Sequence, residues 1–170
     1  MHHPAETPVI MLVEDRPDDV LLVKRSFEKA RIESSFLVLG NGDEAVAYLK
    51  GEGKFSERSV FPLPDLMLLD LKLPGKDGFE VLQWIRSQPS MKALRVIVLT
   101  SSEQIRDVNT AYHLGANSFL VKPFDFENLV EMSRFICGYW LGMDRAPAIS
   151  REAPELERRE RVSPSAALGE

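Results

Sequence analysis

Glu14 with Asp15, Asp70, Thr100 with Ser101, and Lys122 with Pro123 each follow directly on a short run of apolar residues. If those runs are parallel strands, one sheet edge receives three carboxylates, hydroxyls and an ammonium. Three carboxylates within a few Å of one another repel unless a proton or a cation intervenes. All-oxygen donors with no His or Cys nearby suit a hard divalent ion, and few carboxylates with room left for water suit Mg²⁺ better than Ca²⁺. A cation also lets an anionic phosphodonor approach an anionic nucleophile, and a carboxylate that attacks phosphorus forms an acyl phosphate. Asp70 is the expected nucleophile, because it ends the third, central run. Glu14 and Asp15 are expected to hold the ion directly or through water, with the backbone carbonyl of Lys72 completing its shell. Thr100 and Lys122 would each take one phosphoryl oxygen. Singly, each residue has an ordinary reading: Lys122 as a solvated surface lysine, Thr100 as a strand end, Glu14 and Asp15 as acids favoured at a helix entry. Jointly, at one edge and in strand order, they read as a site.

The elements that must position these residues appear as apolar runs alternating with helical periods. Val9 to Val13, Phe36 to Leu39, Leu66 to Leu69, Val96 to Leu99 and Ser118 to Val121 read as buried parallel strands, with helices on both faces of the sheet. Ligands of such a sheet bind outside the carboxyl ends of its strands. Val20, Val23, Phe27 and Ala30 recur at helical spacing behind Pro17 and Asp18, a favoured helix start. A second helix is expected from Gly42–Asp43 to about Leu49, and a third from Asp77 to about Ser87, where Pro89 stops it. Ser101 with Gln104 predicts a capping box for a fourth, ended at Leu114–Gly115. Asp125 caps a fifth that runs to about Leu141. Along it, Phe126, Leu129, Ser133, Ile136 and Trp140 form one stripe for the sheet, while Met132, Phe135, Tyr139 and Met143 form a neighbouring stripe. That second stripe predicts a homodimer built on the fifth helix, the competing expectation being that the tail or the long loop folds over it. Residues 50–64 carry Gly, Pro and scattered charge without helical period and read as a long loop.

A chain of 170 residues suits one domain with a short extension. We expect a flexible N-terminus over 1–6, the domain over 7–143, and a disordered tail over 144–170, where large apolar side chains nearly vanish. No apolar run approaches the roughly 18–20 residues of a membrane span. The N-terminus lacks the pattern of a secretory signal. Cys137, the sole cysteine, reads as a small buried residue of the last helix. The expectation is a soluble, cytoplasmic protein. A net charge of −5 argues against a nucleic-acid partner, which needs clustered Lys and Arg.

Over about Thr7 to Leu141 the sequence resembles the receiver domain of two-component response regulators. VEDRPDD (Val13 to Asp19) resembles the family's acidic pair, and PDLMLLDLKLPGKDGFE (Pro64 to Glu80) its phosphoacceptor strand and following Pro–Gly loop. VIVLTSS (Val96 to Ser102) resembles the segment with its switch hydroxyl, and LGANSFLVKPF (Leu114 to Phe124) its Lys–Pro segment. The resemblance implies a doubly wound α/β fold, a five-stranded parallel sheet in the flavodoxin-like order 2-1-3-4-5. It also implies phosphoryl transfer to Asp70 from a sensor histidine kinase with Mg²⁺ bound, and a cis bond at Lys122–Pro123. Phe119 is then the switch aromatic that turns inward as Thr100 moves toward the phosphate. Lys72 stands where many receivers have Asn or another short polar residue, which bears on the lifetime of the phosphorylated state. Phe119 stands where Tyr is also common. The tail after Met143 is too short and polar for an output domain, so the signal is expected to leave through protein contact. The loop before the third strand, the PDDVLLVKRSF helix start and the YWL near the chain's last helix end resemble stand-alone receivers paired with phytochrome-type kinases, so a bacteriophytochrome is the expected partner.

Three other readings compete. A flavodoxin-like FMN protein would offer hydroxyls and backbone N–H groups to a phosphate in its first loop; here that loop offers acids. A haloacid-dehalogenase-type phosphatase needs a second Asp two residues after its nucleophile, where this chain has Lys72. A pseudo-receiver scaffold, binding partners without phosphorylation, is opposed by the intact set Glu14, Asp15, Asp70, Thr100 and Lys122.

Overall fold

The computed structural model describes residues 7–143, and the expectations for 1–6 and 144–170 fall outside them. Five strands, β1 (Val9–Val13), β2 (Ser35–Leu39), β3 (Leu66–Leu69), β4 (Val96–Thr100) and β5 (Ser118–Val121), pair in parallel in the order β2-β1-β3-β4-β5. This is the predicted order, and the runs read from sequence lie within one residue of the strand ends. The period of two assigns each central strand to both layers at once. Met11, Val13, Met67, Leu69, Val96 and Val98 face one core, and Ile10, Leu12, Leu66, Leu68, Ile97 and Leu99 face the other. Burial on both faces explains why these strands are continuous apolar runs rather than alternating ones.

Helices α1 (Pro17–Lys29) and α5 (Phe126–Cys137) cover the second core, and α2 (Gly42–Lys50), α3 (Gly78–Ser87) and α4 (Ile105–His113) flank the first. Val23 and Phe27 of α1 are buried as their spacing requires, and Pro17 opens the helix. Asn41 caps α2, accepting from the Glu44 N–H at 2.7 Å, and Gly51 ends it in the left-handed region at φ 74°. Asp77 caps α3 in a reciprocal box with Glu80. Between α1 and α5 the hydroxyls of buried Ser26 and Ser133 meet at 2.8 Å. Among the described residues no helix is long and apolar enough to cross a membrane.

Three expectations change. Helix α4 begins at Ile105 rather than at Ser101, and its N-cap Gln104 makes no side-chain cap. Ser102, one residue on from the predicted cap, does the local work: its hydroxyl donates to Asp107 Oδ2 at 2.5 Å and accepts weakly from the Gln104 N–H at 3.4 Å. Helix α5 ends as a regular helix at Cys137, then widens into a π-type turn over Gly138–Met143, which carries the chain past the expected end at Leu141. The stretch 50–64 contains a 3-10 turn, Gly53–Phe55, and packs its aromatic rings onto the first core. Phe55 and Phe61 meet Tyr48 edge-on or tilted at 4.9 and 6.1 Å between ring centres, and Phe55 meets Phe61 at 5.4 Å.

Candidate functional site

The strand ends deliver the expected side chains to one edge. Asp70 follows β3, its N–H still bonded to the Val13 carbonyl at 3.1 Å, so the strand ladder fixes its backbone one residue past the strand. Glu14 follows β1 and is held likewise through its N–H to Leu39 O at 3.0 Å. Both carboxylates are buried, while Asp15 beside them is exposed. Oxygens of Glu14, Asp15 and Asp70 lie within 4.8 Å of one another.

Gly78, at the start of α3, lets that helix approach closely. A side chain there would bring its Cβ to 2.3 Å from the Asp70 carbonyl oxygen, and the Gly78 N–H donates to Leu71 O at 2.9 Å. Gly75, in the turn between, has φ 69°, which L-residues rarely adopt.

Lys122 reaches the same edge from the end of β5. Its ammonium donates to Glu14 Oε2, to Asp19 Oδ2 at 3.0 Å and to Asp70 Oδ2 at 3.1 Å, with its side chain only 14% exposed. Burial works against the charged lysine, but hydrogen bonds to Glu14 and Asp19 and the charges of Asp70 and Glu14 outweigh it, and its pKa lies above the usual lysine value. For Glu14 the balance is reversed. Burial raises its pKa above the ordinary carboxylate value despite the Lys122 bond and an N–H from Arg16 at 3.0 Å. The Lys122 N–H bonds to Thr100 O at 2.8 Å, continuing the β4–β5 ladder. No peptide bond is cis among the described residues, so the implied cis Lys122–Pro123 bond is trans here. The two forms before proline differ by only about 0.5–1 kcal/mol, and the ammonium meets Asp70 with the trans bond.

Thr100 is fully buried at the end of β4, its Oγ1 accepting from the Ser102 N–H at 3.3 Å. Phe119, paired in register with Val98, is partly buried against the first core, and its N–H donates to the Tyr112 hydroxyl at 3.2 Å. Lys72 is exposed just past Asp70, its N–H at 3.4 Å from Asp70 Oδ1. Glu14, Asp15, Asp70, Lys72, Thr100 and Lys122 therefore fall at or beside one edge, while Phe119 sits within β5 against the first core.

Asp19 was not anticipated, because it belongs to a helix rather than to a strand end. Its place in the first turn of α1 brings it there, because side chains in that turn lean back toward the helix N-terminus.

The donor set fits a hard divalent cation. It is oxygen only, and the three carboxylates come close enough to share an ion while repelling one another without a cation. Asp70 combines nearness to that set with an adjacent ammonium, the arrangement needed for a carboxylate to receive an anionic group.

Comparison with known proteins places the sequence and the fold. The profile of the response regulator receiver domain matches residues 10–134. The probable methanogenesis regulatory protein FilR2 of Methanothrix harundinacea is 39% identical over 84% of this chain and 90% of its own. Response regulator Rcp1 of Synechocystis sp. is 38% identical over 82% of this chain and 93% of its own. The solved structure of the Mn²⁺-bound form of Rcp1 superposes with a TM-score of 0.74, covering 83% of this chain and 99% of that one. The phosphorylated cyanobacterial phytochrome response regulator RcpA gives 0.77 at 34% identity, covering 84% and 99%.

Proposed function

Because this chain belongs to the response regulator receiver family, we propose that it accepts a phosphoryl group on Asp70 from a sensor histidine kinase and passes the signal on by protein contact. The observation that carries this reading is the meeting of Asp70 with Glu14, Asp15 and the Lys122 ammonium at the carboxyl edge of the sheet. Glu14, Asp15, Asp70 and the backbone carbonyl of Lys72 would hold Mg²⁺. The ion supplies positive charge that lets two anions meet. An Asp70 carboxylate oxygen attacks phosphorus, the phosphorus–nitrogen bond of the donor phosphohistidine breaks, and its electron pair stays on the imidazole. Lys122 neutralises one phosphoryl oxygen. The Thr100 hydroxyl leaves the Ser102 N–H to donate to another, and Phe119 follows it inward.

The likeness to Rcp1 and RcpA supports a phytochrome-type kinase as the partner, with the cytoplasm as the place of exchange. The output surface we assign to a homodimer through α5. Phe135 and Tyr139 of the second stripe are 75% and 54% exposed, whereas Met132 packs partly on the core; the side chain of Met143 lies outside the described residues.

Incubation with Mg²⁺ and acetyl phosphate tests the central claim. The wild type gains the mass of one phosphate, lost again in base, and Asp70→Asn gains none. Label on Asp70→Asn at the wild-type rate would move the nucleophile elsewhere. No label on the wild type would favour a scaffold that works without phosphate.

A further inference from the structure

The Lys122 ammonium has three N–H donors, and three carboxylates surround it. Two of them, Glu14 and Asp70, also belong to the oxygen trio suited to a cation; Asp19 does not. We propose that Asp19 is a positioning residue, which keeps the Lys122 ammonium at the pocket when a cation draws on Glu14 and Asp70. The inference rests on the phosphoacceptor reading.

The charges require some such anchor. A divalent ion beside Glu14 and Asp70 repels the ammonium and weakens the hold of both carboxylates on it. Lysine's four-carbon stem is flexible, and its head is strongly hydrated, so a released ammonium swings to solvent. Asp19 stands on another element, in the first turn of α1, and α1 is fixed against α5 by the Ser26–Ser133 contact. Its side chain is 19% exposed, so solvent screens the pair less than a surface one. The neighbouring cation, Arg16, stands at 3.9 Å with a side chain 66% exposed, and competes weakly for it. Held at 3.0 Å by Asp19, the ammonium keeps two donors to turn toward a phosphoryl oxygen and Asp70.

A contrary role makes the opposite prediction. If Asp19 only adds negative charge to the pocket, its neutralisation speeds attack on an anionic donor. The test compares wild type, Asp19→Asn, Asp19→Glu, Lys122→Met and Asp19→Asn with Lys122→Met. Two quantities are measured: the rate of phosphorylation by acetyl phosphate with excess Mg²⁺, and the Mg²⁺ affinity of the unphosphorylated protein by calorimetry. Asp19→Asn should slow phosphorylation about tenfold, short of the roughly hundredfold that a misplaced reacting group can cost, and Asp19→Glu should recover most of it. Mg²⁺ affinity should fall several-fold in Asp19→Asn, since an ammonium displaced from Glu14 and Asp70 no longer has Asp19 to hold it. In the Lys122→Met background, Asp19→Asn should change neither quantity by more than about twofold, because its partner is gone. Faster phosphorylation of Asp19→Asn, or an undiminished effect without Lys122, overturns the proposal. A wild type that takes no phosphate overturns the phosphoacceptor reading instead, and the Mg²⁺ titrations across these proteins then decide the role of Asp19 alone.

Discussion

Glu14 answers to two demands that conflict. Its carboxylate must be charged to serve the pocket, yet burial favours the protonated form and prevails over the Lys122 hydrogen bond. A carboxylate whose folded pKa is raised binds its proton more tightly folded than unfolded, so it stabilises the fold at low pH and loses that contribution as pH rises through the folded pKa. Glu14→Gln, neutral throughout, should therefore stabilise the metal-free protein at pH 7 by about 0.5–2 kcal/mol, the usual gain from relieving a functional site. The gain should vanish below the ordinary carboxylate pKa, and Mg²⁺ affinity should drop. Chemical denaturation at pH 7 and pH 4 checks both signs; a destabilised variant at pH 7 would mean that the Lys122 bond outweighs burial. The strand-end acids, hydroxyl and lysine were legible because each follows an apolar run by one residue. Asp19 was not, since in sequence it is one of several acids in a helix's first turn, where the dipole alone accounts for it. Ser102 was missed by one position for a similar reason: both serines suit a cap, and only the path of the loop decides between them.

Among the elements, the segment between α2 and β3 differs most from its sequence. It carries no periodicity because it is ordered by contacts to other elements. The Arg58 guanidinium donates to the carbonyls of Tyr48 at 2.8 Å, Leu49 at 2.7 Å and Phe61 at 3.3 Å, and lies over the Tyr48 ring at 5.7 Å. It thereby serves carbonyls at the C-terminal end of α2, adding to the Gly51 N–H that Tyr48 O already accepts at 3.0 Å. The Tyr48 hydroxyl donates to Pro62 O at 2.7 Å and ties the far side of the loop to the same helix. Arg58→Ala should cost about 1–3 kcal/mol, from helix-end and loop carbonyls that lose a charged donor. Thermal denaturation should show a midpoint lowered by about 4–10 °C. Arg58→Lys should recover little, because one ammonium cannot span the fork of three carbonyls. An unchanged midpoint for Arg58→Ala would show that the aromatic cluster holds the loop unaided. The helices and strands were readable from apolar runs and helical spacing, since their hydrogen bonds are local or follow from burial; a loop held by one arginine, one hydroxyl and a few rings leaves no such pattern.

For the whole molecule, the sheet order followed from five buried runs and the family resemblance, while the assembly did not. Helix α5 puts Leu129, Val130, Ser133 and Ile136 inside and leaves Phe135 in water, as the turn after it leaves Tyr139. Tyr139 meets the Trp140 ring edge-on at 4.9 Å, so the exposed aromatic surface is continuous with a partly buried one. Light scattering at micromolar concentration should give about twice the chain mass, as a symmetric pair requires. Phe135→Glu with Tyr139→Glu should halve it without disturbing the fold, and a wild-type monomer with and without phosphate would exclude the dimer. The order in which the site's charges arise along the chain carries one more consequence. Glu14 and Lys122 meet across 108 residues, and a growing chain makes its acids first and its ammonium last. A ribosome-bound fragment ending before β5 holds Glu14, Asp15, Asp19 and Asp70 without Lys122 to balance them, and it lacks the strand that closes the second edge of the sheet. Domains complete as units once their last long-range pairing is available. Under the phosphoacceptor reading proposed above, a newly made copy gains competence to accept phosphate only after the end of β5 has brought Lys122 to the acids.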